Sequence, residues 1–192
     1  MSNSQVQAYS AAARPFFDLA VVLSASLLLA FAAKIQIPFY PVPMTMQTFV
    51  VLGISLVLGP IRGALSVLAY LAAGIAGLPV FAGSPELGIG VGYVMGPTGG
   101  YLLGFLPAVL ISGGLVRLRR DKSLFLIVGA LIAALATIYA SGLLWLGSVI
   151  GFEKPLLRVG FFPFVLGDLT KAAIVAITFY SVRSWLEKRG EV

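Results

Sequence analysis

The chain has 192 residues, of which 59% are apolar and 10% charged, with no cysteine, no histidine and a formal net charge of +6. No soluble fold of this size has interior enough to hide so much apolar surface, so lipid must solvate much of it. Disulfides, thiolate metal sites and histidine chemistry are excluded, and in so apolar a chain the cationic excess reads as a bias of loop charges rather than a nucleic-acid footprint.

A bilayer-spanning helix needs about 20 apolar residues, and six segments are candidates. The first runs from about Phe16 to Ile37, behind a polar tail over residues 1–13 that is expected to fray. Arg14, the apolar run and Ala30-Phe31-Ala32 also match a secretory signal with its cleavage site. The run is long enough to span, and removing it would break the charge bias described below, so a retained helix is the preferred reading. The second segment, about Thr45 to Leu58, and the third, about Pro60 to Gly77, are divided by Gly59-Pro60-Ile61-Arg62. The second is near the lower limit for a span. The fourth covers about Gly99 to Val116, the fifth about Leu124 to Ile150 and the sixth about Phe162 to Trp185. The expected fold is therefore all-α, a single membrane domain over residues 14–186 with six transmembrane helices and a C-terminal tail over residues 187–192.

Lysine and arginine set the orientation. With the N-terminus cytoplasmic, the inner side holds nine: Arg14, Arg62, Arg117, Arg119, Arg120, Lys122, Arg183, Lys188 and Arg189. The outer side holds three, Lys34, Lys154 and Arg158, while Lys171 lies inside the sixth helix. This bias predicts both termini on the cytoplasmic side, with the cluster at residues 117–122 as the main topology anchor.

Two outward segments are unusual. From Ile37 to Thr48, three prolines in six positions (Pro38, Pro41, Pro43) make the chain extended and stiff. It hands over to a helix near Thr45, a candidate N-cap, which puts Gln47 and Thr48 in the first turn near the outer surface. A rigid connector and a ligand-facing edge are equally compatible with that pattern. From Gly77 to Tyr101 the chain is long, glycine-rich and free of Lys and Arg. Loops of this length are functional or disordered, and Leu78, Val80, Phe81, Tyr93 and Met95 call for burial. The segment is expected to fold onto the membrane domain, where protein or a cavity covers it. Gly88-Ile89-Gly90-Val91-Gly92 is no nucleotide motif, because no βαβ unit surrounds it.

The sharpest signal is Pro163-Phe164-Val165-Leu166-Gly167-Asp168-Leu169-Thr170-Lys171. A spacing of three sets Asp168 and Lys171 on one helix face, roughly 8 and 12 Å along the helix from Pro163. Each costs about 2.5–3.5 kcal/mol at mid-membrane on insertion scales, so partners or a ligand must satisfy them. They either bridge each other as a structural staple or form a polar ligand site. Tyr70, Tyr139, Thr137 and Ser141 are expected to bond backbone carbonyls, and Asp18 to sit among the inner headgroups. Ala20, Ser24, Ser26, Ala30 and Ala33 give the first helix a small-residue face for close helix approach. No G-x-x-x-x-G-K-[ST] loop is present, so the chain does not hydrolyse ATP by that route.

Pro41 to Thr48, Leu58-Gly59, Tyr70-Leu71, Gly77 to Gly83, Gly96 to Tyr101, and Gly167-Asp168 followed by Lys171 occur in the order seen in one family. Over about residues 16–185 the chain resembles BioY, the biotin-specific substrate-binding (S) component of energy-coupling-factor (ECF) transporters. The resemblance implies a six-helix protein of the bacterial cytoplasmic (inner) membrane that captures biotin from outside. It also implies docking through the first helix onto a transmembrane coupling protein driven by a pair of ATPases, though some members are thought to work with fewer partners, and a homo-oligomer is one further arrangement. Biotin would be the transported ligand, with no cofactor and no metal. Asp168 and Lys171 carry over as ligand-binding residues from the sixth-helix motif; Gln47, Tyr93 and Tyr101 carry over as members of matched segments. Some relatives have a basic residue where Glu86 stands, which leaves the partner of biotin's carboxylate open. Two other classes remain: a membrane enzyme using Asp168 and Lys171 as an acid-base pair, which would turn a ligand over, and a structural subunit in which the two only bridge each other. Within transport, another vitamin on the same scaffold is the runner-up.

Overall fold

A computed structural model describes residues 3–119 and 123–190, with side chains from Pro15 onward. Arg120 and Lys122 of the expected topology anchor lie outside the described residues, as does the side chain of Arg14. The chain is mostly helical: α1 Asn3–Lys34, α2 Gln47–Val57, α3 Gly59–Ile75, α4 Gly90–Val94, α5 Gly99–Leu118, α6 Leu124–Ile150, α7 Leu156–Gly160 and α8 Phe162–Lys188. A two-residue antiparallel ladder pairs β1 (Gln36–Ile37) with β2 (Met44–Thr45), closing the proline-rich segment into a hairpin.

Among the described residues four helices are long and apolar enough to cross a membrane: Pro15–Lys34 of α1, then α5, α6 and α8. The helix boundaries follow the expected segments closely, except that α1 extends back to Asn3, through most of the stretch expected to fray. The second and third segments are shorter, 11 residues in α2 and 17 in α3. At about 1.5 Å per residue α2 covers roughly half of a ~30 Å hydrocarbon core. The two meet at Gly59, whose φ of +76° is the left-handed geometry that turns the chain without a connecting loop. Pro60 then opens α3 within its first turn, where its missing N–H costs nothing.

The short α2 lies inside the bundle. It contacts α1, α3, α5 and α8, and Val51, Leu52 and Ser55 are fully buried. The main helix pair is α5 with α6, built on small residues: Ala108, Ala130 and Ala134 are buried, and a Cβ on Gly104 would come 3.0 Å from Ile138 Cα. Without water to drive association, close backbone approach of this kind holds membrane helices together. The outward-facing leucines and phenylalanines of α1, such as Phe16, Leu27 and Phe31, are more than two-thirds exposed, as a lipid-facing surface requires. The small residues of α1 divide between two faces: Ser26 and Ala33 are buried in the bundle, whereas Ala20 and Ser24 are exposed.

The long segment between α3 and α5 packs back onto the bundle through Phe81, Ala82, Tyr93 and Val94. Leu78 and Met95, expected to be buried with them, are exposed at 55% and 61%. An apolar side chain at the edge of a membrane domain needs no protein cover, so burial there is not required. Lys34, at the C-terminal end of α1, fixes this segment: its Nζ donates to Phe81 O (2.9 Å), Ser84 O (2.8 Å) and Ser84 Oγ (3.0 Å). Glu86 takes no part in that clamp.

Candidate functional site

Asp168 and Lys171 lie one turn apart on α8, 5% and 8% exposed. Lys171 Nζ donates to Asp168 Oδ1 at 2.8 Å, to Thr45 O at 2.7 Å and to Thr48 Oγ1 at 3.1 Å. An ammonium has three N–H bonds, so all its donors are in use. Thr48 in turn donates to Asp168 Oδ1 (2.7 Å), and Tyr139 of α6 donates to Asp168 Oδ2 (2.7 Å). The carboxylate thus accepts three charge-assisted bonds, leaving lone-pair capacity on a group that lines a cavity.

The close approach of β2 and α2 to α8 has a local cause. Gly167 carries no side chain where the Met44 methyl lies; a Cβ there would overlap Met44 Cε. Met44 and Thr45 are thereby brought against α8, and the Thr45 carbonyl reaches Lys171. At the start of α2 the N-cap position is Met46, with no side-chain cap bond; the expected cap, Thr45, instead accepts from Gln47 N at 3.2 Å through its hydroxyl. Gln47 is 2% exposed, accepts from Thr45 Oγ1 (3.2 Å) and donates to Tyr70 OH (2.8 Å). One Nε2 hydrogen remains beyond those bonds.

Thr45, Gln47, Thr48, Tyr101, Tyr139 and Asp168 share one cavity of about 50 Å³. Apart from Thr98 its remaining walls are apolar, among them Phe105 of α5, Ile138 of α6 and Phe164 of α8. Val42, Pro43 and Met44 of the hairpin also line it, and Phe39 packs edge-on against Phe164 with centroids 5.9 Å apart. That volume holds water but is far below the ~300–1,000 Å³ of ordinary ligand pockets. A larger guest requires some of these walls to move apart. Tyr101 presents its ring to the cavity and donates through its hydroxyl to Gly160 O at 2.8 Å; the ring lies flat over Gly142 of α6, where any Cβ would overlap it.

Four of the five expected site residues therefore belong to one cluster: Asp168, Gln47 and Tyr101 line the cavity, and Lys171 holds Asp168 from behind. Tyr93 stands apart. It stacks on Phe81 (4.8 Å, 21° between planes), which packs edge-on against Tyr70, and its buried hydroxyl has no hydrogen-bond partner among the described residues. Tyr139 was expected to bond a backbone carbonyl and instead bonds the carboxylate; the signal for it was a mid-membrane hydroxyl on a helix able to face the mid-membrane acid. Tyr70 does meet a carbonyl, Val80 O at 3.3 Å, as do Thr137 and Ser141. Asp18 pairs with Arg62 at 2.6 Å. Among the described residues no cluster of acids offers a metal site.

Known proteins share this sequence and architecture. A protein of Pyrococcus horikoshii described as a probable biotin transporter BioY is 40% identical over 145 residues, 76% of this chain and 83% of its own length. The biotin transporter BioY of Thermotoga maritima is 38% identical over 150 residues, 78% of this chain and 86% of its own. The crystal structure of the S-component for biotin from an ECF-type ABC transporter superposes with a TM-score of 0.74 over 96% of this chain and 95% of that one, at 24% identity, a likeness of fold. The BioY family model matches residues 4–188, almost the whole of the sequence. The chain belongs to the BioY family.

Proposed function

We propose that this protein captures biotin at the outer face of the cytoplasmic membrane and carries it inward as the substrate-binding component of an ECF transporter. The observation that carries the reading is a buried carboxylate, Asp168, held in place by hydrogen bonds from Lys171, Thr48 and Tyr139 while it lines a mostly apolar cavity. Biotin's ureido ring offers two N–H donors, its thiophane ring is apolar and its valerate ends in a carboxylate. Asp168 accepts ureido N–H bonds, Gln47 donates its remaining N–H to the ureido carbonyl, and Tyr101, Phe105 and Phe164 pack the thiophane ring. Lys171 acts on the ligand through Asp168; if the hairpin lifts, Thr45 O withdraws and the freed N–H reaches the ligand directly. Tyr93 supports the site through Phe81 and Tyr70.

The chain crosses the membrane six times, α2 and α3 included, with both termini cytoplasmic. The nine-to-three bias of Lys and Arg supports that orientation. So does the grouping of Arg62 and Arg117 around the α2–α3 turn, with Lys34 at the opposite end of α1. Transport is the function of the named relatives, and all three donors of Lys171 are engaged, with Asp168, the Thr45 carbonyl and the Thr48 hydroxyl. Energy comes from a coupling protein and ATPases. Competition of labelled biotin with unlabelled vitamins tests the specificity. Displacement by biotin alone is expected; equal displacement by a second vitamin would make this an S component of broader or different specificity.

A further inference from the structure

Away from the outer cavity, an open crevice of about 890 Å³ runs between α1 and α3 at the opposite end of the bundle. Its walls include the half-exposed Leu19, Leu23, Leu65 and Leu68. From Arg62 to Ala72 it follows α3 for about 15 Å, the length of half a bilayer leaflet pair. Two guanidiniums, Arg62 and Arg117, stand at the end where α3 begins, and both also line a second, more polar recess of about 270 Å³ beside Gly59 and Gly113. Arg62 spends part of its charge on Asp18. Arg117 has no hydrogen-bond or ion-pair partner among the described residues.

We propose that this crevice binds one anionic phospholipid, with its phosphate between Arg62 and Arg117 and an acyl chain along α1 and α3. Charge complementarity selects this occupant. Two guanidiniums against one carboxylate leave a net positive mouth, planar N–H forks match phosphate oxygens, and the leucine-lined trough continues from that mouth into the apolar zone. The inference rests on the chain spanning a membrane and not on its binding biotin.

The test uses the purified full-length chain in detergent, incubated with phosphatidylglycerol, phosphatidylcholine or inorganic phosphate, and native mass spectrometry of the retained adduct. Wild type should keep phosphatidylglycerol over phosphatidylcholine, and Arg117→Ala should lose about fivefold of that preference, the contribution of one arginine near a membrane surface. Arg117→Lys should keep part of it. Ala69→Trp, which fills the trough without touching either charge, should weaken retention of both lipids. Inorganic phosphate should not be retained, since it lacks the chain. Helical circular dichroism and elution volume identify any variant that misfolds, in which case Arg62→Ala replaces it. Equal retention of the two lipids by wild type, a preference unchanged in the arginine variants, or retention of phosphate as strong as that of the lipid would overturn the proposal. Unaltered retention of both lipids by Ala69→Trp would show that lipid binds elsewhere and overturn the proposal.

Discussion

At Asp168 the surroundings support the proposed site over a plain staple. A pure salt bridge would need only Lys171, yet the carboxylate also takes Thr48 and Tyr139 and still borders open space. Replacing both charges with apolar residues (Asp168→Leu with Lys171→Met) should leave the helix bundle folded, since apolar substitutes for a buried pair are often neutral or stabilising. Biotin binding should vanish. A double variant that still binds would reduce the pair to a staple. Tyr139→Phe removes one hydrogen bond to a charged group, worth about 1.5–3 kcal/mol, and should weaken biotin binding about 10- to 100-fold in equilibrium titration. An unchanged affinity would mean that Tyr139 does not orient Asp168 for the ligand. Asp168 and Lys171 are legible in the sequence because ions are rare in membrane helices. Tyr139 and Thr48 are not, because a single hydroxyl meets a backbone carbonyl more often than an acid, and only the packing of α6 and α2 against α8 distinguishes the two cases.

Among the elements, the hairpin and the α3–α5 segment cover the site end of the bundle, and each is tied to a neighbouring helix. The hairpin rests on Phe164 through Phe39, and the longer segment is tied to α1 by the three bonds of Lys34. Lys34→Met should free residues 78–98, so that limited proteolysis there speeds up about tenfold, as expected for losing ~1.5 kcal/mol of charge-assisted bonding. If biotin closes this segment, ligand should slow the cleavage again; identical rates in wild type and variant would show that the packing of Phe81, Ala82, Tyr93 and Val94 holds the segment down without Lys34. The prolines foretell a stiff, extended outer connector, and the chain uses them in a hairpin. The clamp is not foretold: Lys34 in the sequence is one more loop cation, and nothing near it marks the carbonyls of Phe81 and Ser84, fifty residues away, as its partners.

For the whole molecule, the shortness of α2 is the point at which hydropathy alone runs out. A helix of 11 residues cannot cross lipid by itself, but one packed against α1, α3, α5 and α8 buries most of its length in protein. Charge bias and the left-handed turn at Gly59 then carry the topology. The chain has no native cysteine, so single replacements report cleanly. In intact cells a membrane-impermeant maleimide should label Tyr40→Cys, at a site 93% exposed on the hairpin, and should label Lys188→Cys only after permeabilisation. Labelling of both in intact cells would place the hairpin and the end of α8 on one side and contradict six crossings with cytoplasmic termini.

The central claim, a biotin site built on Asp168, is tested most directly by equilibrium binding of labelled biotin to the purified chain in detergent beside Asp168→Asn. The amide keeps the shape but leaves the Lys171 ammonium buried without its counter-charge, a loss of about 3–5 kcal/mol for a broken buried pair. Wild type should bind tightly and saturably, and the variant should lose at least about 100-fold in affinity. Equal binding by the two would remove Asp168 from the site, and no binding by a well-folded wild type would contradict the assignment of biotin itself.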